Sequence, residues 1–249
     1  MKFFKEPMNI LFTISGEGRR FAEAGYKTPK PLIEVLGRKM IEWGADSCNF
    51  LDRLEKGKII FTVRKEHLEQ FFIEEELKKI YGESIVIVPV DSQFWPKGQA
   101  GHALAAKEHI DNDSRLFIFS CDTFSPSAVA EMIEDEDPDG IIPCFISCDP
   151  KFSYAKLDEN GYVSETAEKK VISNLATAGH YYFKHGADFI ESVKAMQVTG
   201  LTFNGEYYVA PCYNYLIQKK KKVKIILVSE NWVLGTPEEL DYFLKNYLK

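Results

Sequence analysis

The run Asn9-Ile10-Leu11-Phe12-Thr13-Ile14 constrains the fold more than any other stretch. It is almost wholly apolar and ends in a loop with two glycines, Ser15-Gly16-Glu17-Gly18-Arg19-Arg20. A strand that shows water neither face belongs inside a parallel sheet with helices on both sides. The next segments keep that rhythm. A helix is predicted over 39–50, with Met40, Ile41, Ala45 and Cys48 on one side, and a strand over 58–63. A charged helix follows over 66–81, a strand over 84–90, and an Ala-rich helix over 99–109. After the turn Asp111-Asn112-Asp113, Leu116-Phe117-Ile118-Phe119 reads as a strand ending at Ser120-Cys121-Asp122. Strands and helices alternating at this spacing imply βαβ crossovers and a doubly wound sheet.

The second half has a different pattern. A strand is predicted over 140–147, and the extended runs 154–157 and 162–164 flank Asp158-Glu159-Asn160-Gly161, a hairpin signal. Another strand is predicted over 178–183, helices over 187–196 and 207–218, a late strand over 224–228 and a closing helix over 237–248. The expected class is α/β: a Rossmann-like three-layer α/β/α sandwich with a mixed, mainly parallel sheet and a small hairpin insertion. No internal repeat or low-complexity linker divides the chain, so residues 1–249 read as one domain, with a βαβ nucleotide-binding half over 1–125 and a mixed half carrying the hairpin over 126–249. Their meeting point is the expected ligand crevice.

Composition narrows the partners. Lys+Arg 31 against Asp+Glu 37 gives a net charge of −6, which speaks against a nucleic-acid-binding protein. The one basic run, at 219–222, reads as a solvated helix end. No apolar stretch approaches the ~20 residues of a membrane span, and residues 1–7 lack the apolar region of a signal peptide. Five cysteines, at 48, 121, 144, 148 and 212, form no C-x-x-C pair and read as reduced thiols of a cytoplasmic protein.

The loop after the first strand carries the sharpest local chemistry. Gly16 and Gly18 let backbone N–H groups approach an anion, and Arg19 and Arg20 supply charge. The loop is neither a P-loop nor G-x-G-x-x-G, and alone it is equally a tight turn. Lys27-Thr28-Pro29-Lys30-Pro31 changes the weighing, because proline fixes the backbone so that a lysine can be aimed. A lone lysine is ordinarily a solvated side chain. Lys30 reaching the same anion as Arg20 makes a polyphosphate clamp. Asp122 stands where an apolar strand stops, at the edge where open α/β sheets place ligands, and a carboxylate there can hold Mg²⁺ against phosphate oxygens. Its plain alternative is a helix N-cap. His67, His102, His109, His180 and His185 form no metal-ligand pair, Cys144 and Cys148 read as buried thiols, and nothing resembles a Ser/His/Asp set.

These residues together resemble the sugar-phosphate nucleotidyltransferases, of the capsule and surface-polysaccharide type. Gly16-Glu17-Gly18-Arg19-Arg20-Phe21 followed by Pro29-Lys30-Pro31 is similar to that family's opening signature. Gly98-Gln99-Ala100, with Ala103 and Leu104, resembles its base-reading loop, and Ser120-Cys121-Asp122-Thr123 its strand-end metal aspartate. Glu168-Lys169 and Gly179 in Ala178-Gly179-His180-Tyr181-Tyr182-Phe183 resemble its sugar-phosphate elements, and Leu234-Gly235-Thr236-Pro237-Glu238-Glu239-Leu240 its closing G-T-P motif. Two departures stand out. Ile14-Ser15-Gly16 replaces the usual A-G-G or A-A-G, and Val233 occupies a position where many members carry a second metal aspartate. Glu206 is the candidate substitute; its alternative is the first residue of the helix predicted from Tyr207.

The resemblance implies a fold of the nucleotide-diphospho-sugar transferase type and attack by a phosphate monoester on the α-phosphorus of an NTP. Arg20, Lys30 and Asp122 would be catalytic. Ser15, Gly16, Glu17, Gly18, Arg20, Lys30, Gly98 and Gln99 would bind the nucleotide, and Glu168, Lys169, Asn174 and Gly179 the acceptor. Mg²⁺ would be the cofactor, held by Asp122 with Glu206. The expected partners are an NTP, a pyrimidine favoured, and a small phosphorylated acceptor such as a sugar 1-phosphate. Two alternatives stay open: a cytidylyltransferase for a non-sugar phosphate such as phosphocholine, and a non-catalytic nucleotide-binding relative. A metal-dependent glycosyltransferase would call for a D-x-D, which is missing beside Asp122.

Overall fold

The computed structural model describes residues 6–47, 50–51, 54–91, 93 and 95–247. The strands of the first half are β1 (Met8–Ile14), β2 (Glu34–Val35), β3 (Arg38–Lys39), β4 (Ile59–Arg64), β5 (Val86–Val90), β6 (Arg115–Phe119) and β7 (Thr123–Phe124). The second half adds β8 (Gly140–Ile146), β9 (Tyr154–Leu157), β10 (Val163–Ala167), β11 (Leu175–Thr177), β12 (Tyr181–Phe183), β13 (Val223–Leu227) and β14 (Trp232–Val233). The helices are α1 (Arg19–Glu23), α2 (Met40–Ala45), α3 (Lys65–Phe71), α4 (Ile73–Tyr81) and α5 (Gln99–Ala103), then α6 (Lys107–Ile110), α7 (Val129–Glu136), α8 (Gly186–Thr199), α9 (Tyr213–Gln218) and α10 (Pro237–Asn246).

β1 is an interior strand of the sheet, parallel to β4 on one side and β6 on the other. Both of its faces are buried. Leu11 packs with α5, α8 and α9, while Ile10 and Phe12 pack with α2, α4 and α7, which makes the three layers. The Phe12 ring stacks on Phe61 and on Phe119, each centroid 4.9 Å away, because all three share one register row. Each such pair adds about 0.5–1.5 kcal/mol beyond burial. The order is β10-β9-β11-β8-β12-β6-β1-β4-β5, with β13 beside β8; β5-β4-β1-β6 are parallel and β9-β10 form the expected hairpin.

Five predicted elements differ from the structure, the first being the helix over 99–109, where a 3₁₀ turn at Leu104–Ala106 separates α5 from α6. The helix over 66–81 is two helices, because Phe72 adopts a left-handed conformation (φ +50°) between α3 and α4. That break turns Ile73 and Leu77 of α4 into the core. The strand over 178–183 is shortened to β12, because Gly179 (φ +80°) breaks the extended backbone; β11 before the break pairs with β9 and β8, and β12 after it with β8 and β6. The helix over 207–218 begins instead with a 3₁₀ turn at Ala210 leading into α9, since Tyr207 is engaged with the segment around Gly98. The helix over 39–50 is the shorter α2, its start set by Lys39 pairing with Glu34 in the β2–β3 ribbon; Cys48 lies outside the described residues. Among the described residues, Cys121, Cys144 and Cys212 are buried free thiols, whereas Cys148, expected to be buried, is a free thiol exposed past the end of β8. No helix among the described residues is long and apolar enough to cross a membrane.

Candidate active site

Gly18 (φ +63°) turns the chain out of the β1 loop into α1, and its carbonyl accepts the N–H groups of Phe21 (3.0 Å) and Ala22 (3.2 Å). Ser15 beside it is buried, and its hydroxyl has no hydrogen-bond partner among the described residues. Lys30 opens a 3₁₀ turn, Lys30–Leu32, anchored by the buried Pro31 and Leu32. That anchorage carries its ammonium to Asp122, with Nζ 2.7 Å from Oδ2.

Asp122 follows the carboxyl end of β6 and accepts the Ser120 hydroxyl on Oδ1. Burial acts to raise the Asp122 carboxyl, but Lys30 and Ser120 outweigh it and hold the group below the usual carboxylate range. Burial likewise acts to lower Lys30, and Asp122 outweighs it, so the ammonium stays above the ordinary lysine value. The pair is ionised. His180, buried behind it, accepts the Ser120 N–H on Nδ1 (3.4 Å), and burial pushes its pKa down to about 4, so the ring is neutral.

Two clefts meet at this pair. The first, about 530 Å³, is lined by the β1 loop, Gly98, Gln99 and Glu206. The second, about 540 Å³, is lined by Glu168, Lys169, Gly179 and Glu239. Arg20, Lys30, Ser120, Asp122 and Tyr208 line both. Gly98 (φ +91°) is required where it stands, since a Cβ there would lie 2.4 Å from the Tyr207 carbonyl oxygen. The close approach lets Tyr207 donate to Lys97 (2.9 Å) and accept from Ala100 (3.0 Å), which seats Gln99 and Glu206 in one wall.

Tyr208 joins the clefts. Its hydroxyl donates to Glu206 Oε2 (2.7 Å) and accepts Lys169 Nζ (2.9 Å). The Lys169 ammonium also lies over the Tyr208 and Phe203 rings, 4.7 and 4.9 Å from their centroids. Burial pushes the Glu168 carboxyl above its ordinary value, partly countered by the Ser153 hydroxyl, which donates to it.

Comparison with known proteins decides the family. Residues 11–239 match the nucleotidyl transferase family. The chain belongs to it. Over 233 residues it is 27% identical to the bifunctional sugar-1-phosphate nucleotidylyltransferase/acetyltransferase of Sulfurisphaera tokodaii, a match covering 92% of this chain and 53% of that protein. The chain therefore spans about half the length of that curated relative. The crystal structure of the nucleoside-diphosphate-sugar pyrophosphorylase from Vibrio cholerae RC9 aligns with a TM-score of 0.80 at 27% identity, covering 95% of this chain and 100% of that one. A UDP-glucose pyrophosphorylase complexed with UDP-glucose shares the fold, with a TM-score of 0.74 at 16% identity, covering 97% and 98% of the two chains.

In this nucleotidyl transferase chain the first cleft gathers Ser15, Gly16, Glu17, Arg20, Lys30, Gly98 and Gln99, while Gly18 shapes the turn without lining the cleft. Glu168, Lys169 and Gly179 come together in the second. Asn174 joins neither cleft: it is exposed, and its carbonyl accepts the Ser147 N–H (3.1 Å). Glu206 does not begin a helix, which starts later at Ala210; it lines the first cleft with Asp122. Sequence reasoning passed over Arg64, Lys97 and Tyr208 in the first cleft, and Lys151, Ser153 and Glu239 in the second. Glu239 lay within the quoted G-T-P motif; Lys151 carries no local signal.

Proposed function

We propose that the protein transfers a nucleotidyl group from an NTP to a small phosphorylated acceptor, forming an NDP-linked product and pyrophosphate. A phosphate oxygen of the acceptor attacks the α-phosphorus, the bond from that phosphorus to the bridging oxygen breaks, and pyrophosphate leaves with the electron pair. The observation that carries the reading is the pair of clefts sharing Arg20, Lys30 and Asp122, which puts one cationic junction between two ligand spaces. In-line substitution between two anions needs that neutralisation and alignment more than it needs a protein nucleophile.

The β1 loop and Arg20 hold the β- and γ-phosphates, with Ser15 lining the same cleft. Lys30 leaves Asp122 for the α-phosphate and the incoming acceptor oxygen. Gln99 meets a base edge, with a pyrimidine favoured. Glu168 and Lys169 hold the acceptor, a sugar 1-phosphate in the first instance.

The residues fit a divalent cation. Asp122 offers hard oxygen donors at the junction, and Gly235 leaves open the space beside Oδ2, where a Cβ would lie 3.0 Å away. Mg²⁺ bound by Asp122 would draw charge from the α-phosphate. The test is pyrophosphate release with Mg²⁺, each common NTP plus dTTP, and acceptors spanning sugar 1-phosphates, phosphocholine and phosphorylated amino acids. Release that requires one NTP and one acceptor is expected. Silence across the panel with NTP binding intact would overturn the assignment in favour of a binding subunit.

A further inference from the structure

Val233 has no donor atom, and its strand pairing with Thr123 sets it beside the Asp122 loop. The next residue pins that segment down: the Leu234 N–H donates to the Asp122 carbonyl at 2.7 Å. Gly235 follows. A Cβ built on it would lie 3.0 Å from Asp122 Oδ2 and 3.3 Å from Glu239 Oε2. Two carboxylates from distant parts of the chain thus flank one gap that any larger residue at 235 would close.

Left to themselves, two carboxylates sharing a site repel. Here each already holds a cation. Lys30 sits on Asp122 Oδ2 at 2.7 Å, and Lys151 on Glu239 Oε1 at 3.0 Å, which leaves Glu239 Oε2 turned to the gap. Glu239 is also fixed through its backbone, because its N–H donates to the Thr236 hydroxyl that caps α10 (3.2 Å). Its side chain is 24% exposed, partly withdrawn from solvent. Glu206 is placed differently: its Oε2 accepts the Tyr208 hydroxyl, and it does not line the second cleft, where Asp122, Gly235 and Glu239 meet.

We infer that Glu239 is the second carboxylate of a divalent-cation site centred on Asp122, filling the role that Val233 cannot, with Lys151 as the counter-ion it releases when the cation binds. Magnesium is commonly held by one or two carboxylates together with substrate phosphates and water, so no third protein ligand is needed. The inference rests on the proposed nucleotidyl transfer and its cation.

The test is Mn²⁺ titration of the whole protein, alone and saturated with a non-hydrolysable NTP analogue, following the ion by electron paramagnetic resonance against an analogue-only control. Glu239→Gln keeps the side-chain volume and the backbone cap. It is expected to weaken Mn²⁺ binding at least about tenfold, and Val233→Asp added to it to restore most of the loss. Glu239→Gln binding Mn²⁺ within twofold of wild type, while Asp122→Asn binds poorly, would overturn the role of Glu239 and leave the proposed reaction standing. Wild type failing to take up Mn²⁺ at millimolar concentrations both with and without the analogue, or Asp122→Asn binding as wild type does, would overturn the cation site altogether. Pyrophosphate release from the substrate panel reports separately on the reaction.

Discussion

Lys30 Nζ and Asp122 Oδ2 lie 2.7 Å apart although 92 positions separate the two residues in the chain. The pair stands where the two clefts join, and each partner keeps the other charged. Removing one leaves the other without its counter-charge at the junction where the proposed transfer gathers negative charge. Lys30→Ala and Asp122→Ala are each expected to lower turnover at least ~100-fold, the usual order for losing one such contact. The double variant should cost little more than either single, since the two act as a unit. Steady-state rates of purified variants, with folding verified by thermal melting, decide it; near-normal turnover by either single variant rejects the assignment.

Glu168 reverses the pH behaviour of Asp122. Burial holds the Glu168 carboxyl above its ordinary value, so the folded protein binds its proton more tightly than the unfolded chain does. Its contribution to stability is complete below the unfolded value of about 4.3 and is lost as pH rises through the folded value. Asp122, held low, contributes above about 3.9 and loses that only as pH falls through its folded value. Glu168→Gln keeps an oxygen to accept from Ser153 and has no carboxyl to ionise. Its melting temperature relative to wild type should therefore rise between pH 4 and pH 7, while the KM for the acceptor rises with little change in that for NTP. A melting difference that falls over that interval would refute the burial argument.

Much of this site was legible in the sequence because its signals are local. An apolar strand, glycines after it, a lysine between prolines and an aspartate at a strand end each report their own backbone, and the fold carries them to one place. What was not legible depends on distant partners. Phe72 breaks a helix that its own charge pattern would continue, and Tyr207 is kept out of a helix by backbone bonds to Lys97 and Ala100. Lys151 has no motif around it, and in the site it meets Glu239, 88 positions on. Tyr208 lies in a stretch whose pattern reads as helix, and only tertiary packing sets its hydroxyl between Glu206 and Lys169.

That bridge makes Tyr208→Phe informative. The ring under the Lys169 ammonium is retained, and only the hydroxyl linking the two clefts is lost. Each net hydrogen bond of this kind, to a charged group, is worth about 1.5–3 kcal/mol. With water able to replace part of the loss, the KM for the acceptor should rise about tenfold. Turnover at saturation should change less, because Tyr208 positions Lys169 and does not neutralise the reacting phosphorus. A fall in kcat with unchanged KM would instead put Tyr208 in the chemical step.

Gly98→Ala tests whether backbone contact, and not side-chain chemistry, sets the wall of the first cleft. With φ at +91° and ψ at 166°, residue 98 occupies a conformation that is essentially restricted to glycine, and a non-glycine residue there costs about 1–3 kcal/mol. The added Cβ would also meet the Tyr207 carbonyl oxygen at 2.4 Å, forcing apart the bonds from Tyr207 to Lys97 and from Ala100 to Tyr207. Gln99 and Glu206 then separate, so the KM for NTP should rise well beyond tenfold and the melting temperature should fall by several degrees. Gly16→Ala is the contrast. A Cβ at residue 16 meets nothing within 4 Å, so its stability should stay within about 0.5 kcal/mol of wild type. Melting curves and NTP titrations of the two variants side by side check this. Equal loss of stability in both would show that glycine is needed in both loops for flexibility, and would remove the Tyr207 contact as the reason for glycine at 98.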